Sequence, residues 1–265
     1  MRILMVGDVV GKAGRRALKR HLPDLRRTLG LDAVVVNGEN SAGGIGITAA
    51  TAREIFEAGA DLITTGNHVW RHAEVIPYLE NESRLLRPAN YPPGVPGRGW
   101  GVFVTPGGHR IVVLNLQGRV FMEAVDCPFR VADEWLGKRA YGQPAALLVD
   151  FHAEATSEKA ALAHHLDGRV SAVLGTHTHV PTADHRILPR GTGFQTDIGM
   201  TGCYDSIIGM EKASVLPRFL QQLPSRFEPA EREAALCGAL LEIDPATTKC
   251  RLIRPVRRGP DLEEA

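Results

Sequence analysis

The sequence predicts an α/β protein whose strands form a mixed sheet or a two-sheet sandwich covered by helices. Short apolar, β-branched segments alternate with longer amphipathic segments over the first two-thirds of the chain, a pattern typical of a layered sheet with covering helices. Two β-rich segments, one central and one near the C-terminus, interrupt this alternation. Each of them predicts a hairpin, which a purely parallel sheet does not contain.

The alternating segments give the elements in chain order. Apolar, β-branched composition predicts strands at five places: 3–6, 33–36, 62–65, 145–151 and 171–174. The segments between them are bounded by Gly or polar residues and predict helices at about 13–29, 48–58, 72–80, 129–136 and 157–166. This alternation favours strands that are buried on both faces.

The two hairpins account for the other β-rich segments. In 100–116 two apolar stretches are joined at Pro106, Gly107 and Gly108, and the segment 235–256 has the same form. The segment 87–101 is rich in Pro and Gly and is predicted to be a loop.

Composition limits the classes of protein that the chain can belong to. It has 265 residues, 44% hydrophobic and 23% charged, so it can bury a sizeable core, and we expect one domain over 1–265 with a frayed tail at 259–265. Thirty-one Lys and Arg against 30 Asp and Glu give a net charge of +1, so we expect no stable nucleic-acid complex. Its apolar segments are too short for a signal peptide or a membrane span.

The four cysteines have no short paired spacing, which argues against a Cys-based zinc site and a dense disulfide framework and favours a reducing, cytoplasmic location. Cys203 shows no local sign of thiolate activation, so we expect it to be inert. The segment GDVVGK lacks the P-loop spacing, and GGIGIT lacks the third glycine of a dinucleotide fingerprint. A basic run along the first predicted helix is either a solvated helix face or a guide for anions.

Metal-capable or polar side chains follow five of the predicted strands. They are Asp8, Glu39 and Asn40, Asn67 and His68, His152, and His177 and His179. Because loops at the carboxyl ends of strands meet at one crevice in open α/β sheets, we expect these side chains to lie together. Taken singly, each has a plain structural alternative, such as a helix cap for Asp8, a solvated turn for Glu39 or a satisfied core histidine for His152.

The segment GTHTH is the strongest single motif. If its backbone is extended, His177 and His179 point to the same side about 6.5 Å apart, which suits two neighbouring metal ions. Imidazole, carboxylate and amide ligands without thiolate suit iron, manganese or zinc. The sequence therefore predicts a site for two metal ions.

These motifs, in this order, resemble the calcineurin-like metallophosphoesterase superfamily and, more closely, its YmdB-like branch. The resemblance covers almost the whole chain and includes GENSAGGIGIT, TGNHVW, GTHTHVPTADHRILP and GTGFQTDIGMTG. Where the wider superfamily has GDxHG with a histidine ligand, this chain has GDVVG, with Val10 in that place, and Glu39 replaces the usual bridging Asp. Both departures are similar to the YmdB-like branch. The resemblance implies a two-sheet β-sandwich flanked by helices in αββα layers.

The resemblance also implies roles for the candidate residues. It places Asp8, Glu39, Asn40 and His179 on one metal ion, and Glu39, Asn67, His152 and His177 on a second. The two ions, divalent or of mixed valence, would be iron first, with manganese or zinc as alternatives. His68 would be the general acid.

Members of the branch are described as 2′,3′-cyclic-nucleotide 2′-phosphodiesterases, so we expect a metal-bound hydroxide to open the cyclic phosphate and leave a 3′-nucleotide. The alternatives are a broad phosphomonoesterase or nuclease on the same metals and a nucleotide-sensing regulatory protein. A homo-oligomer is common for such enzymes.

Overall fold

A computed structural model describes residues 1–262, and it forms two mixed sheets with helices on both outer sides. The strands in the described residues are β1 Arg2–Val6, β2 Asp8–Val9, β3 Ala33–Asn37, β4 Leu62–Thr64, β5 Trp100–Val104, β6 Arg110–Gln117, β7 Ala146–His152, β8 Ala172–Thr176, β9 Arg186–Ile187, β10 Gly193–Gln195, β11 Met200–Thr201, β12 Leu236–Ile243 and β13 Cys250–Arg258. The α-helices are α1 Gly11–Thr28, α2 Ala49–Glu57, α3 Ile76–Asn81, α4 Pro128–Lys138, α5 Thr156–Leu166 and α6 Lys212–Gln221.

Both large sheets are mixed: the first is antiparallel at one edge and the second at both edges. The first has the order β13-β12-β1-β3-β4, in which β1, β3 and β4 run parallel and the C-terminal hairpin is antiparallel. The second has the order β5-β6-β7-β8-β10-β9, with β6, β7, β8 and β10 parallel. Both predicted hairpins are confirmed.

The core consists of three hydrophobic clusters, because the strands carry apolar side chains on both faces. Ile3 and Val35 of the first sheet pack against Val113 and Leu148 of the second, so the two sheets face each other. On the outer face of the first sheet Leu4 joins a cluster with α1 and α2. A third cluster joins the outer face of the second sheet to α4 and α5. The αββα sandwich is confirmed. Full burial of each large apolar side chain contributes about 1.5–3 kcal/mol to the free energy of unfolding.

Some elements differ from the sequence prediction. The predicted helix at 72–80 begins as a 3₁₀ turn, Ala73–Val75, before α3. The sequence pattern did not indicate α6. Val215 is the one buried residue that the structure describes in this helix, and a helix that buries so little has a weak apolar stripe. The expected tail continues as a bend and turn to residue 262, and its last three residues lie outside the described ones.

No helix among the described residues is both long enough and apolar enough to cross a bilayer.

Candidate metal centre

Asp8 lies just beyond β1, where a short parallel pairing with Met200 fixes its backbone. The side chain is fully buried. Its Oδ2 accepts a hydrogen bond of 3.1 Å from the backbone N–H of His177, while Oδ1 has no hydrogen-bond partner. The nearest cationic candidates are His152 Nδ1 at 3.7 Å and His179 Nε2 at 4.0 Å. One oxygen of Asp8 is thus free to bind a ligand.

Glu39 follows β3 and is buried to the same degree as Asp8. Its backbone N–H donates to the Asn37 side chain at 3.1 Å, which fixes the turn. Oε1 lies 2.8 Å from His68 Nδ1 and Oε2 lies 2.9 Å from His152 Nε2, yet neither oxygen has a partner with hydrogen-bond geometry. Glu39 therefore lies between two groups of candidate ligands with both oxygens unsatisfied.

His152, at the end of β7, is oriented by a chain of hydrogen bonds that runs through the sandwich. Its Nδ1 lies 2.9 Å from Thr176 Oγ1, and that hydroxyl donates to Asp150 Oδ1 at 2.7 Å, so His152 Nδ1 is the donor and Thr176 the acceptor. Asp150 also accepts from the side chains of Asn37 and Thr64. Nε2 is left facing the site, 3.1 Å from Asn67 Oδ1.

The other two histidines are held in the same manner, by one ring nitrogen each. His177 Nε2 lies 3.1 Å from Glu154 Oε2, which turns Nδ1 toward His152 Nε2 at 3.0 Å. His179 Nδ1 donates to the Ile208 carbonyl at 2.8 Å, which leaves Nε2 toward the site. Metal-binding histidines in proteins are commonly oriented by such partners on the second nitrogen.

The expectation of an extended GTHTH segment is wrong. β8 ends at Thr176, and His177 and His179 both have positive φ, 96° and 66°. The backbone turns because Thr178 is tied down: its N–H and its hydroxyl donate to Asp197 Oδ2 at 3.1 and 2.7 Å. Both imidazoles still reach the site, but through a turn and not through the two-residue period of a strand.

Asn40, Asn67 and His68 complete the arrangement. Asn40 Nδ2 lies 3.2 Å from His179 Nε2, and Asn40 Oδ1 lies 3.0 Å from His68 Nδ1. Asn67 is preceded by Gly66. A Cβ atom added to Gly66 would lie 1.8 Å from Glu39 Oε2. Only glycine lets the backbone pass this close to the carboxylate.

Electrostatics inside the site are dominated by burial and by the charges of its own members. Burial raises the pKa of Asp8. Burial also acts to raise the pKa of Glu39, but the charges of His152 and His68, whose ring nitrogens lie within 3 Å of its oxygens, outweigh it and hold that pKa well below its usual range. Burial opposes protonation of His152, yet the charge of Glu39 raises its pKa to about 9. Burial, together with charged His152, lowers the pKa of His177 to about 3.

Four residues of this arrangement were absent from the sequence prediction: Glu154, Thr176, Asp150 and Asp197. Asp150 carried a usable signal, because it lies two residues before His152 on the same face of one strand. Thr176 likewise ends the strand that precedes His177. Glu154 and Asp197 gave no comparable signal, since loop conformation alone brings them to the site.

The chain matches known proteins over almost its whole length. A family model described as YmdB-like protein matches residues 4–256. The chain belongs to the YmdB-like family. A protein of Bacillus subtilis (strain 168), named 2′,3′-cyclic-nucleotide 2′-phosphodiesterase, is 47% identical over 261 residues, which cover 98% of this chain and 98% of that protein.

Two solved structures share the YmdB-like chain's fold. One, from Mycoplasma pneumoniae and described as a novel phosphatase, has a TM-score of 0.91 at 35% identity and covers 98% of this chain and 93% of its own. The other is a 5′-nucleotidase precursor from Thermus thermophilus, with a TM-score of 0.61 and 13% identity over 98% of this chain and 55% of its own. The second likeness shows the fold alone, and it confirms the metallophosphoesterase-type sandwich.

The donor set of this YmdB-like chain fits divalent metal ions. The ligand atoms of Glu39, His152 and His177 all lie within 4.8 Å of one another. The unsatisfied oxygens of Asp8 and Glu39 are buried, and a buried carboxylate oxygen without a partner is costly unless a cation or donor meets it. Imidazole nitrogens with carboxylate oxygens form a common donor set for iron, manganese and zinc.

Proposed function

We propose that this chain is a metal-dependent phosphodiesterase that hydrolyses 2′,3′-cyclic nucleotides to 3′-nucleotides. The observation that carries the proposal is the pair of buried carboxylates, Asp8 and Glu39, whose three unsatisfied oxygens face a group of oriented histidines. Such a site favours the binding of cations. The name of the B. subtilis relative, at 47% identity, supports a cyclic nucleotide as the substrate.

Two groups of residues would hold the metal ions, with Glu39 shared between them. Asp8, Asn40 and His179 form the first group, in which His179 Nε2 is near both Asp8 Oδ1 and Asn40 Nδ2. Rotation of the Asn40 amide would present its oxygen in place of its nitrogen. The second group consists of Asn67, His152 and His177 together with Glu39, which belongs to both groups. When bound, two such ions supply positive charge that acidifies water and neutralises the phosphoryl oxygens.

His68 would act as the general acid. It lines the cavity in front of the buried carboxylates, and its Nδ1 faces the side-chain amide of Asn40, so Nε2 is the nitrogen left to pass a proton to the substrate. Water adds its oxygen to phosphorus and releases one proton to solvent, the bond from phosphorus to the 2′ oxygen breaks, and that oxygen takes a proton from His68, which solvent then protonates again. The product keeps its phosphate on the 3′ oxygen.

Elemental analysis of the purified protein combined with a substrate panel tests the proposal. We expect two metal ions per chain, iron first and manganese or zinc otherwise, and turnover of 2′,3′-cyclic AMP well above that of 3′-AMP or RNA at the same metal concentration. Preferred turnover of the phosphomonoester or of RNA would replace the proposal with one of those activities. Nucleotide binding without turnover of any substrate would favour a regulatory protein.

The proposal includes the organisation and location of the protein. One domain over 1–265 is supported by the pairing of β1 with β12, which joins the two ends of the chain in one sheet. A cytoplasmic location is supported by four cysteines that form no disulfide in the described residues. Association into a homo-oligomer stays a prediction, as does the absence of a stable complex with nucleic acid or membrane.

A further inference from the structure

The cavity in front of the candidate metal centre is lined by two chemically different sets of residues. It measures about 430 Å³, within the range of pockets that hold small ligands. Polar side chains line part of it, among them Asn40, His68, His177 and His179. Besides Ile45, six apolar side chains from the segment 207–227 line it: Ile207, Ile208, Met210, Val215, Phe219 and Phe227. We call these six residues the apolar wall.

The backbone of Ile208 holds the apolar wall in place at a conformational cost. Its φ is 47°, a left-handed value that β-branched residues rarely adopt. Reciprocal hydrogen bonds between Ile207 and Met210, of 2.9 and 3.0 Å, close the turn, and the Ser206 hydroxyl accepts from the Gly209 N–H at 2.8 Å. Strain of this kind persists where the surroundings impose it, and it concentrates at ligand sites.

The same turn is joined directly to the metal centre. The carbonyl of Ile208 accepts the Nδ1–H of His179, so the position of the apolar wall is fixed relative to a candidate metal ligand. A substrate whose phosphate lies among the histidines therefore extends a fixed distance before it meets the wall.

Phe219 presents an aromatic side chain to this cavity from α6. The residue is 73% exposed, and Ile208 is 53% exposed. Large apolar groups left in water beside a polar site mark a surface that a ligand covers. Aromatic faces are the usual platforms for nucleobases, because every base has a π-face that can stack.

We propose that the apolar wall binds the nucleobase of the substrate, chiefly through Phe219, and does so without reading the base edge. The inference rests on the proposed function. No residue of the wall carries an amide, hydroxyl or charged side chain, so the wall itself has no side-chain group that could distinguish the Watson–Crick edges of the four bases.

Selectivity among bases should be correspondingly small. Pockets that discriminate through apolar contact alone reach about 10–200-fold, whereas sites that hydrogen-bond the distinguishing group reach 10⁴-fold or more. We expect the four 2′,3′-cyclic nucleotides to differ in kcat/KM by less than about 200-fold, with purines ahead of pyrimidines because their rings stack over a larger area. A single base preferred by more than about 200-fold would overturn the second half of the proposal.

Binding to the metal-loaded protein tests the wall independently of turnover. Titration calorimetry with adenosine 3′-phosphate and with inorganic phosphate gives the ratio of their dissociation constants. In Phe219→Ala we expect the advantage of the nucleotide to fall by about tenfold, the usual scale for loss of one stacked base. Phe219→Tyr should keep that advantage, because it keeps the ring.

Leu220→Ala is the matched control. Leu220 lies on the same helix and is 79% exposed, but it does not line the cavity. Its substitution should leave the ratio unchanged. Equal binding of the two ligands by the unaltered protein, or an unchanged ratio in Phe219→Ala, would overturn the proposal. Failure of the unaltered protein to hydrolyse any cyclic nucleotide would refute the proposed function instead, and the binding ratio would still decide whether the wall holds a base.

Discussion

Lys159 Nζ lies 2.8 Å from Asp197 Oδ2, and neither side chain is exposed to solvent. Asp197 Oδ2 also accepts the two hydrogen bonds from Thr178, between His177 and His179. The ion pair thereby connects α5 to the turn that carries two candidate metal ligands. A buried ion pair of this kind is costly to break, because the remaining charge has no compensation.

Replacement of Lys159 by Met should destabilise the protein by about 3–5 kcal/mol, since Asp197 would be left charged and buried. Chemical denaturation of the metal-free protein measures this. Arg27→Met is the control: Arg27 pairs with Asp24 at 2.6 Å, but their side chains are 76% and 64% exposed, so its loss should cost under about 1 kcal/mol. Equal costs for the two variants would contradict the role of Asp197 as a charged anchor.

Glu39→Ala should abolish binding of both metal ions, because the glutamate is the member common to the two groups of candidate ligands. Metal content measured by elemental analysis should fall from two ions per chain to less than one. Glu57→Ala, which removes an exposed glutamate from α2, should keep both ions. If Glu39→Ala still retained two ions, another residue would have to bridge them.

His68→Ala should separate catalysis from metal binding. We expect both metal ions to stay bound and kcat for 2′,3′-cyclic AMP to fall by about 10²–10⁴, the usual contribution of a general acid. His164→Ala, at an exposed position on α5, serves as the control and should retain full turnover. Loss of metal in step with loss of activity would show that His68 is a ligand and not the acid.

Gly66→Ala should disrupt the centre by steric overlap alone. The added methyl group would lie 1.8 Å from Glu39 Oε2 and 2.1 Å from His152 Cδ2, so one of these side chains must move. We expect a destabilisation of about 1–3 kcal/mol together with weaker metal binding. Gly137→Ala, in α4, meets no atom within 4 Å and should stabilise the helix by about 0.5–1 kcal/mol. Unchanged metal affinity in Gly66→Ala would show that the centre tolerates a displaced carboxylate or imidazole.

The metal-free protein should lose stability between about pH 6.5 and 9. In the folded chain the pKa of His152 is raised from 6.5 to about 9, so its protonated form stabilises the fold fully below pH 6.5, and this contribution disappears as pH rises through 9. The lowered pKa of His177 makes the free energy of unfolding rise with pH, but only below pH 6.5. Calorimetric Tm values from pH 6 to 10 measure the loss.

Two further measurements test the pH assignment. His152→Gln should flatten this part of the Tm profile, and an unaltered slope in that variant would assign the titration to another group. Metal binding at pH 7.5 should release a proton from His152, since a metal ligand must be neutral. Calorimetry in buffers of different ionisation enthalpy detects that proton.

Sequence patterns predicted the elements with buried faces and the residues at strand ends, because both depend on local periodicity. Val35 and Val149, for instance, lie in runs of consecutive apolar residues, 33–36 and 145–149, a pattern that predicts burial on both faces. The candidate ligands followed from the convergence of parallel strand ends, and the structure brings all eight predicted site residues together. Their roles as ligands or acid stay predictions.

The conformation of the GTHTH segment could not be predicted in this way. Its turn depends on Asp197, which lies 19 residues beyond Thr178 and is itself held by a lysine on α5. The apolar wall was missed for a related reason: Ile208 and Phe219 are exposed, so no burial pattern distinguishes them from ordinary surface residues. Local sequence patterns carry little information about long-range contacts or about the shape of a cavity.

The pairing of β1 with β12 sets an order of events during synthesis. β1 carries Asp8 at its end, but its neighbour on one side, Leu236–Ile243, is translated more than 220 residues later. Until then β1 has an unpaired edge on that side, where its backbone N–H and C=O groups lack their partners. A chain that stops before residue 236 should therefore aggregate or be degraded rather than hold Asp8 in its place beside Glu39.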